Sequence, residues 1–223
     1  LGELGIVGAA VPPFSLLALE DAPARHLRRA TKYAQQHRVV ETRPFTRPRA
    51  RPGQLRIGYF SADFHDHATM HLMARVFELH DRERFAIYAY SYGPERDDAM
   101  RRRLCTAVSV CHDVRGRSDR EVAELARADG IDIAVDLKGY TREARPGIFA
   151  CRAAPIQVNY LGYPGSMGAP FIDYLIADRV VIPEHSRQHY AEQVVYLPHC
   201  YQANDDTRPI AEGVTRAAAG LPE

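Results

Sequence analysis

Residues 55–73, LRIGYFSADFHDHATMHLM, limit what this chain can fold into more than any other stretch. An apolar run containing one glycine (Leu55, Ile57, Gly58, Tyr59, Phe60) stops abruptly. Asp63, His65, Asp66, His67 and His71 follow, and an apolar pattern at helical spacing resumes at Met70. This is the pattern of strand, polar loop and helix. In open α/β sheets the loops leaving the carboxyl ends of parallel strands converge on one crevice, where helix N-termini offer N–H groups to anions. Polar residues crowded at that junction are placed for chemistry.

Asp63, His67 and His71 recur every four residues. If the chain is already helical at Asp63 they share one face, and a carboxylate there could orient an imidazole. The same spacing serves equally an Asp that only caps the helix beside half-solvated histidines. His65, His67 and His71 have no fourth ligand at a metal-like spacing, and His-Glu-x-x-His does not occur, so no metal site is expected.

Strand and helix signals keep alternating beyond this stretch. Helices are predicted over 69–79, with apolar Leu72, Met73, Val76 and Leu79, over 94–104, and over 118–128. The last opens with Ser118 and Glu121 in capping-box spacing and closes at Gly130. Extended segments are predicted over 55–60, 85–90, 107–114, 131–137, 155–160, 173–177 and 194–197. Such alternation predicts an α/β fold with a mostly parallel, doubly wound sheet. Two further loops should reach the same sheet edge: DLKGYTREAR at 136–145 and LGYPGSMG at 161–168. Gly162, Gly165 and Gly168 around Pro164 suit tight turns and close approach to a ligand. Neither G-x-G-x-x-G nor a P-loop lysine pattern is present.

Ahead of the sheet, residues 14–37 have a helical pattern, with Asp21 as the expected cap and Pro23 in the first turn. Residues 39–54 have linker composition, with Pro44, Pro48 and Pro52 among arginines. The expected division is a helical arm and linker over 1–54, a Rossmann-like half over 55–205 and a connector over 206–223. The absence of an initiator Met and the connector-like ending suit a piece of a longer protein.

With 29 basic and 28 acidic residues, the net charge of +1 argues against a footprint for duplex nucleic acid. Cys105, Cys111, Cys151 and Cys200 have no C-x-x-C spacing and are expected to be free thiols in a reducing compartment, the cytoplasm. Glu3 and Pro12-Pro13 interrupt the apolar opening, so neither a signal peptide nor a membrane span fits it.

In that order, LRIGYFSADFHDHATMHLM, IDIAVDLKGYT with the following AR, RAAPIQVNYLGYPGSMGAPFIDYLIAD and YLPHCYQ closely resemble the amino-terminal half of the catalytic region of the O-linked N-acetylglucosamine transferases, a family that includes the SPINDLY-type enzymes. The likeness is strong over 55–202 and loose over the helical arm. It implies a GT-B architecture of two Rossmann-like halves facing a cleft, preceded by tetratricopeptide helices. This chain would supply the last of those helices and the first half. The resemblance further implies inverting, metal-independent transfer of N-acetylglucosamine from UDP-N-acetylglucosamine to protein Ser or Thr hydroxyls, with no cofactor. The implied partners are the C-terminal half that carries most nucleotide-binding groups, the nucleotide sugar and protein acceptors, with neither membrane nor nucleic acid.

By the same resemblance His67 takes the position of the family's proposed base and Asp63 that of the carboxylate that relays or orients. The donor's own phosphate is a rival proton acceptor, so His67 is assigned as essential rather than as the base. Thr69 is similar to the threonine lining the sugar pocket. Tyr140, Arg142 and Arg145 correspond to residues lining the acceptor and donor cleft. Leu161, Gly162, Tyr163, Pro164 and Gly165 correspond to the turn that closes over sugar and diphosphate. His199 matches a family position and is expected to be a structural histidine in the core. Ala68 stands where the family often has Pro. The same fold also serves other donors, GDP-fucose or UDP-glucose, and a helical-repeat protein could keep such a half as a binding module without catalysis.

Overall fold

In the computed structural model, which describes residues 2–37 and 53–222, one sheet runs through the molecule. Its strands are β1 (Leu55–Ser61), β2 (Phe85–Ser91), β3 (Val110–Asp113), β4 (Ile133–Asp136), β5 (Ile156–Asn159), β6 (Tyr174–Ala177) and β7 (Gln193–Tyr196). All neighbouring pairs are parallel, in the order β3-β2-β1-β4-β5-β6-β7. The helices are α1 (Pro23–Ala34), α2 (Ala68–Leu79), α3 (Ala99–Ala107), α4 (Asp119–Ala128) and α5 (Pro146–Ala150).

A parallel sheet needs cover on both faces, and the pleat of the strands sorts the residues between them. Phe60, Tyr90 and Ala134 face one way, into a core shared with Ala30 and Ala34 of α1, Val122 and Ala126 of α4 and Phe149 of α5. Tyr59, Ala89 and Val135 face the other way, onto Met70, Met73 and Phe77 of α2 and Leu104 of α3. Successive residues of β1 thus anchor opposite layers, which is why residues 57–60 read as an apolar run without polar alternation. The stacked rings of Phe60 and Tyr90, with centroids 4.4 Å apart, join β1 to β2.

Local signals set the helix ends. Ser118 and Glu121 form the anticipated capping box of α4, and Asp98 caps α3 through the Arg101 amide. That cap delays α3 to Ala99, five residues later than expected from its charge pattern. At α1 the residue before the helix is Ala22, without a side-chain cap, so Asp21 does not fill the expected role. The short helix α5 was not anticipated from the sequence; Pro146 opens it. A 3₁₀ segment, Glu184–His189, connects β6 to β7. Most of the expected 39–54 linker lies outside the described residues.

The arm is packed into the same core as the sheet. A Cβ on Gly168, whose φ is +57°, would lie 2.4 Å from the Thr31 amide nitrogen, so the loop after β5 reaches the backbone of α1 only as glycine. At the other end, Arg103 of α3 donates to Glu78 of α2 and to Asp205, tying the segment after β7 across two helices.

The cysteine expectation needs correction. Cys105, near the end of α3, and Cys111, in β3, form a disulfide, with Cα atoms 5.4 Å apart. Helix and strand double back within six residues, and this brings the two positions to bridging distance. Cys151 and Cys200 are free. The inference of a reducing compartment from four thiols therefore lapses. Among the described residues, no helix is long and apolar enough to cross a membrane.

Candidate active site

The strand order reverses between β1 and β4: β2 and β3 lie to one side, and β5 to β7 to the other. Loops leaving β1 and β4 at such a switch point diverge and open a crevice. Asp63 follows β1 and Lys138 follows β4; both side chains are buried. The Lys138 ammonium donates to both Asp63 oxygens, at 2.9 Å to Oδ1 and 2.7 Å to Oδ2. Each partner is also pinned through its backbone. The Asp63 amide donates to Ser61 Oγ at 2.9 Å, and the Lys138 amide donates to Asp136 Oδ1 at 2.9 Å.

His67 is the N-cap of α2, with extended backbone at φ −150°. Its Nδ1 accepts the Thr69 amide at 3.1 Å, satisfying one of the free N–H groups of the first turn. The Thr69 hydroxyl donates to Asp63 Oδ2 at 3.3 Å. Between His67 Nδ1 and Asp63 Oδ2 the distance is 3.6 Å, beyond hydrogen-bond range. Because Nδ1 accepts an N–H, the neutral ring carries its proton on Nε2, and any further bond to a ligand is made through that atom. The ring has room for one, since its side chain is 41% exposed.

Both sequence-based pictures of this segment are corrected by the start of the helix at Ala68. Asp63 precedes the helix, so it neither caps it nor shares a helical face with His67 and His71. It approaches His67 across a loop instead. His71 Nε2 pairs with Asp66 Oδ1 at 2.7 Å; Asp66 is exposed and His71 half-buried.

Burial leaves its mark on the neighbouring acid. Desolvation raises the Asp136 pKa to about 6, against the lowering effects of the Lys138 and Gly139 amides and of the Lys138 charge. Beside it the Tyr92 hydroxyl is buried with no hydrogen-bond partner. Burial, followed by the charges of Asp136 and Asp63, raises its pKa well above the usual range.

The glycine-containing turn meets the other side of the β4 loop. A Cβ on Gly162 would lie 2.1 Å from the Leu137 carbonyl oxygen, and Leu161 before it has φ 69°. Tyr163 is buried, with its ring 5.4 Å from that of Tyr140. Gly165 packs on the Tyr163 ring, while Pro164 is exposed. The Glu192 carboxylate, just before β7, accepts the Ser166 hydroxyl at 2.8 Å and the Met167 amide at 2.7 Å, holding the turn from behind. Burial raises the pKa of that acid.

Two of the residues assigned to the cleft have their polar groups engaged within the chain. The Tyr140 hydroxyl donates to the Met167 carbonyl at 2.8 Å, and its ring packs edge-on against Tyr33 of α1 at 4.9 Å. It fastens the β4 loop to the glycine turn and the arm. Arg145 is held by Asp119 at 2.7 Å and by the Arg117 carbonyl at 2.7 Å. Arg142 is exposed at a cavity of about 370 Å³ bordered by Phe14, Tyr33 and His37. His199 is exposed rather than buried, which corrects the expectation of a core histidine.

Lys138, Tyr92 and Glu192 were not singled out in the sequence. Lys138 stands in the DLKGYT loop, where nothing local marks its partner 75 positions away. Glu192 and Tyr92 carry no motif at all.

Comparison with known proteins follows the same lines. The chain is 37% identical over 230 residues to the probable UDP-N-acetylglucosamine-peptide N-acetylglucosaminyltransferase SEC of Arabidopsis thaliana, covering 96% of this chain and 24% of that protein. It is 39% identical over 153 residues to the UDP-N-acetylglucosamine-peptide N-acetylglucosaminyltransferase of Caenorhabditis elegans, covering 68% of this chain and 13% of that protein. A solved structure of a mutant O-GlcNAc transferase from Thermobaculum terrenum superposes with a TM-score of 0.77 at 36% identity, over 83% of this chain and 36% of that one. The chain thus spans only a minor part of the length of each. The profile of Glycosyl transferase family 41 matches residues 20–218, and by that match and the parallel Rossmann-like fold this chain belongs to glycosyl transferase family 41.

Proposed function

We propose that this chain forms the acceptor-side half of an inverting glycosyltransferase site that moves N-acetylglucosamine from UDP-N-acetylglucosamine to protein Ser or Thr hydroxyls without a metal. On this reading an opposite half, which would hold most of the nucleotide, completes the site. The buried Asp63–Lys138 pair at the switch point, with Thr69 and His67 above it, is the observation that supports this reading best. A module that only docks partners has no need of a charged pair buried at a crevice.

In this arrangement His67 meets substrate through Nε2–H. That atom donates, and it suits an oxygen gaining negative charge as the glycosidic bond to phosphate breaks. Acting as base through Nε2 would require the ring to release the Thr69 amide and give Nδ1–H to Asp63. On this reading Thr69 borders the crevice from the β1 side and the turn at Leu161, Gly162, Tyr163, Pro164 and Gly165 borders it from the β4 and β5 side. Tyr140 and Arg145 brace the β4 loop through Met167 and Asp119, and Arg142 lies at the neighbouring cavity beside the arm.

The test is calorimetry and turnover on the full natural polypeptide that contains this chain. Binding of UDP-N-acetylglucosamine in preference to GDP-fucose, with transfer to a Ser/Thr peptide in the presence of a chelator, is the expected result. Preference for GDP-fucose would move the assignment to another donor, and failure of every donor in the folded protein would leave a binding module.

A further inference from the structure

His67 Nδ1 has two neighbours that compete for it. The Thr69 amide offers a proton at 3.1 Å, and Asp63 Oδ2 waits to accept one from 3.6 Å away. Left to itself the carboxylate should win, because a hydrogen bond to an ionised oxygen is roughly twice as strong as one between neutral groups. A small rotation of either side chain would close the gap. Asp63 does not take the ring, and the reason lies across the crevice. Both its oxygens receive the Lys138 ammonium, and Oδ2 receives the Thr69 hydroxyl as well. The Lys138 backbone is anchored on its own side of the crevice, its amide held by the buried Asp136.

We propose that Lys138 is a positioning residue that sets the tautomer of His67: by occupying Asp63 it leaves Nδ1 to the Thr69 amide and keeps the proton on Nε2. The catalytic consequence rests on the transferase reading above; the tautomer does not. Without the ammonium, Asp63 turns to His67, the proton moves to Nδ1, and Nε2 presents a lone pair where the site needs a donor. An imidazole held in the wrong tautomer can forfeit as much as about 10⁴ in turnover, the figure known from serine proteases.

The experiment is nitrogen NMR of the full natural polypeptide labelled at histidine, at about pH 8 where an ordinary imidazole is neutral. Two-bond couplings distinguish Nδ1–H from Nε2–H. In the unaltered protein His67 is expected as Nε2–H. Lys138→Met should convert it to Nδ1–H and lower kcat at least about tenfold, with KM for the donor changed by less than about threefold. Lys138→Arg, which keeps the charge, should keep Nε2–H and most of the turnover. The pair Asp63→Leu with Lys138→Met removes both charges together, so it also serves if Lys138→Met alone does not fold; it should return Nε2–H. Nδ1–H in the unaltered protein or in the double variant overturns the proposal, as does Nε2–H in a folded Lys138→Met protein. Correct tautomers in a protein that transfers no sugar would instead sink the transferase reading and leave the geometry standing.

Discussion

Gly162 lies so close to Leu137 that a Cβ would sit 2.1 Å from the Leu137 carbonyl oxygen. Backbone cannot yield as the end of a long side chain can, so Gly162→Ala must displace either the glycine turn or the start of the β4 loop. The expected cost is about 2 kcal/mol, within the usual range for overpacking, or a fall in Tm of roughly 4–8 °C for a chain of this size. Weaker donor binding should accompany it. Gly116, whose added Cβ meets nothing within 4 Å, is the control. Calorimetric scans of Gly162→Ala and Gly116→Ala that coincide would show that the turn is free to move.

Loss of the His67 side chain removes the cap of the first turn of α2 and, on the proposed function, the group that meets substrate through Nε2. His67→Ala should lower turnover at least about a hundredfold, the scale of a positioned donor to developing charge. It should lower stability by only about 1 kcal/mol, as for an ordinary cap. Kinetics beside urea denaturation separate the two effects. A loss of turnover below about threefold would remove His67 from the chemistry.

Asp136 carries a pH signature of its own. Its folded-state pKa is raised to about 6 from the usual 3.8, mainly by burial. The folded protein therefore holds this proton more tightly than the unfolded chain does. The group's favourable contribution is complete below about pH 4, declines as pH rises, and is gone above about pH 6. Asp136→Asn keeps the oxygen that accepts the Lys138 amide and removes the ionisation. It should stabilise the protein at about pH 8 by on the order of 2 kcal/mol and have little effect near pH 3.5. Urea midpoints at the two pH values test this; equal shifts at both would mean that Asp136 is not desolvated as described.

The Cys105–Cys111 bridge closes a loop of only six residues' separation, so its entropic gain is limited. Loop-closure scaling gives about 2 kcal/mol. Cys105→Ser with Cys111→Ser, or reductant added to the unaltered protein, should lower Tm by a few degrees. Peptide mass mapping without reductant should find the two cysteines joined. Finding both available to alkylation in the folded, unreduced protein would exclude the bond.

Much of this architecture was readable in the chain. The central strands β1, β2 and β4 follow apolar runs, because strands buried on both faces show no polar alternation. The capping box at Ser118 and Glu121 is a local contract between residues three apart, and it formed as read. The junction after β1 was marked by the density of acids and histidines there. What each side chain does was less legible. Tyr140 and Arg145 stand beside the proposed cleft in sequence, yet their polar atoms are taken by Met167, Asp119 and Arg117. The four-residue spacing from Asp63 to His67 was correct as a neighbour relation and wrong as helical geometry, since the helix waits for Ala68.

By itself the sequence determined most of the elements, their alternation and the loop where acids and histidines gather, because hydrophobic period, capping and turn residues act over a few positions. Only the tertiary structure decided which groups share a proton. Lys138 reaches Asp63 across 75 residues, Glu192 reaches Ser166 across 26, and the thiols of Cys105 and Cys111 meet because a helix turns back into a strand. Such pairings depend on strand order, and strand order is settled by how two hydrophobic layers close over one sheet.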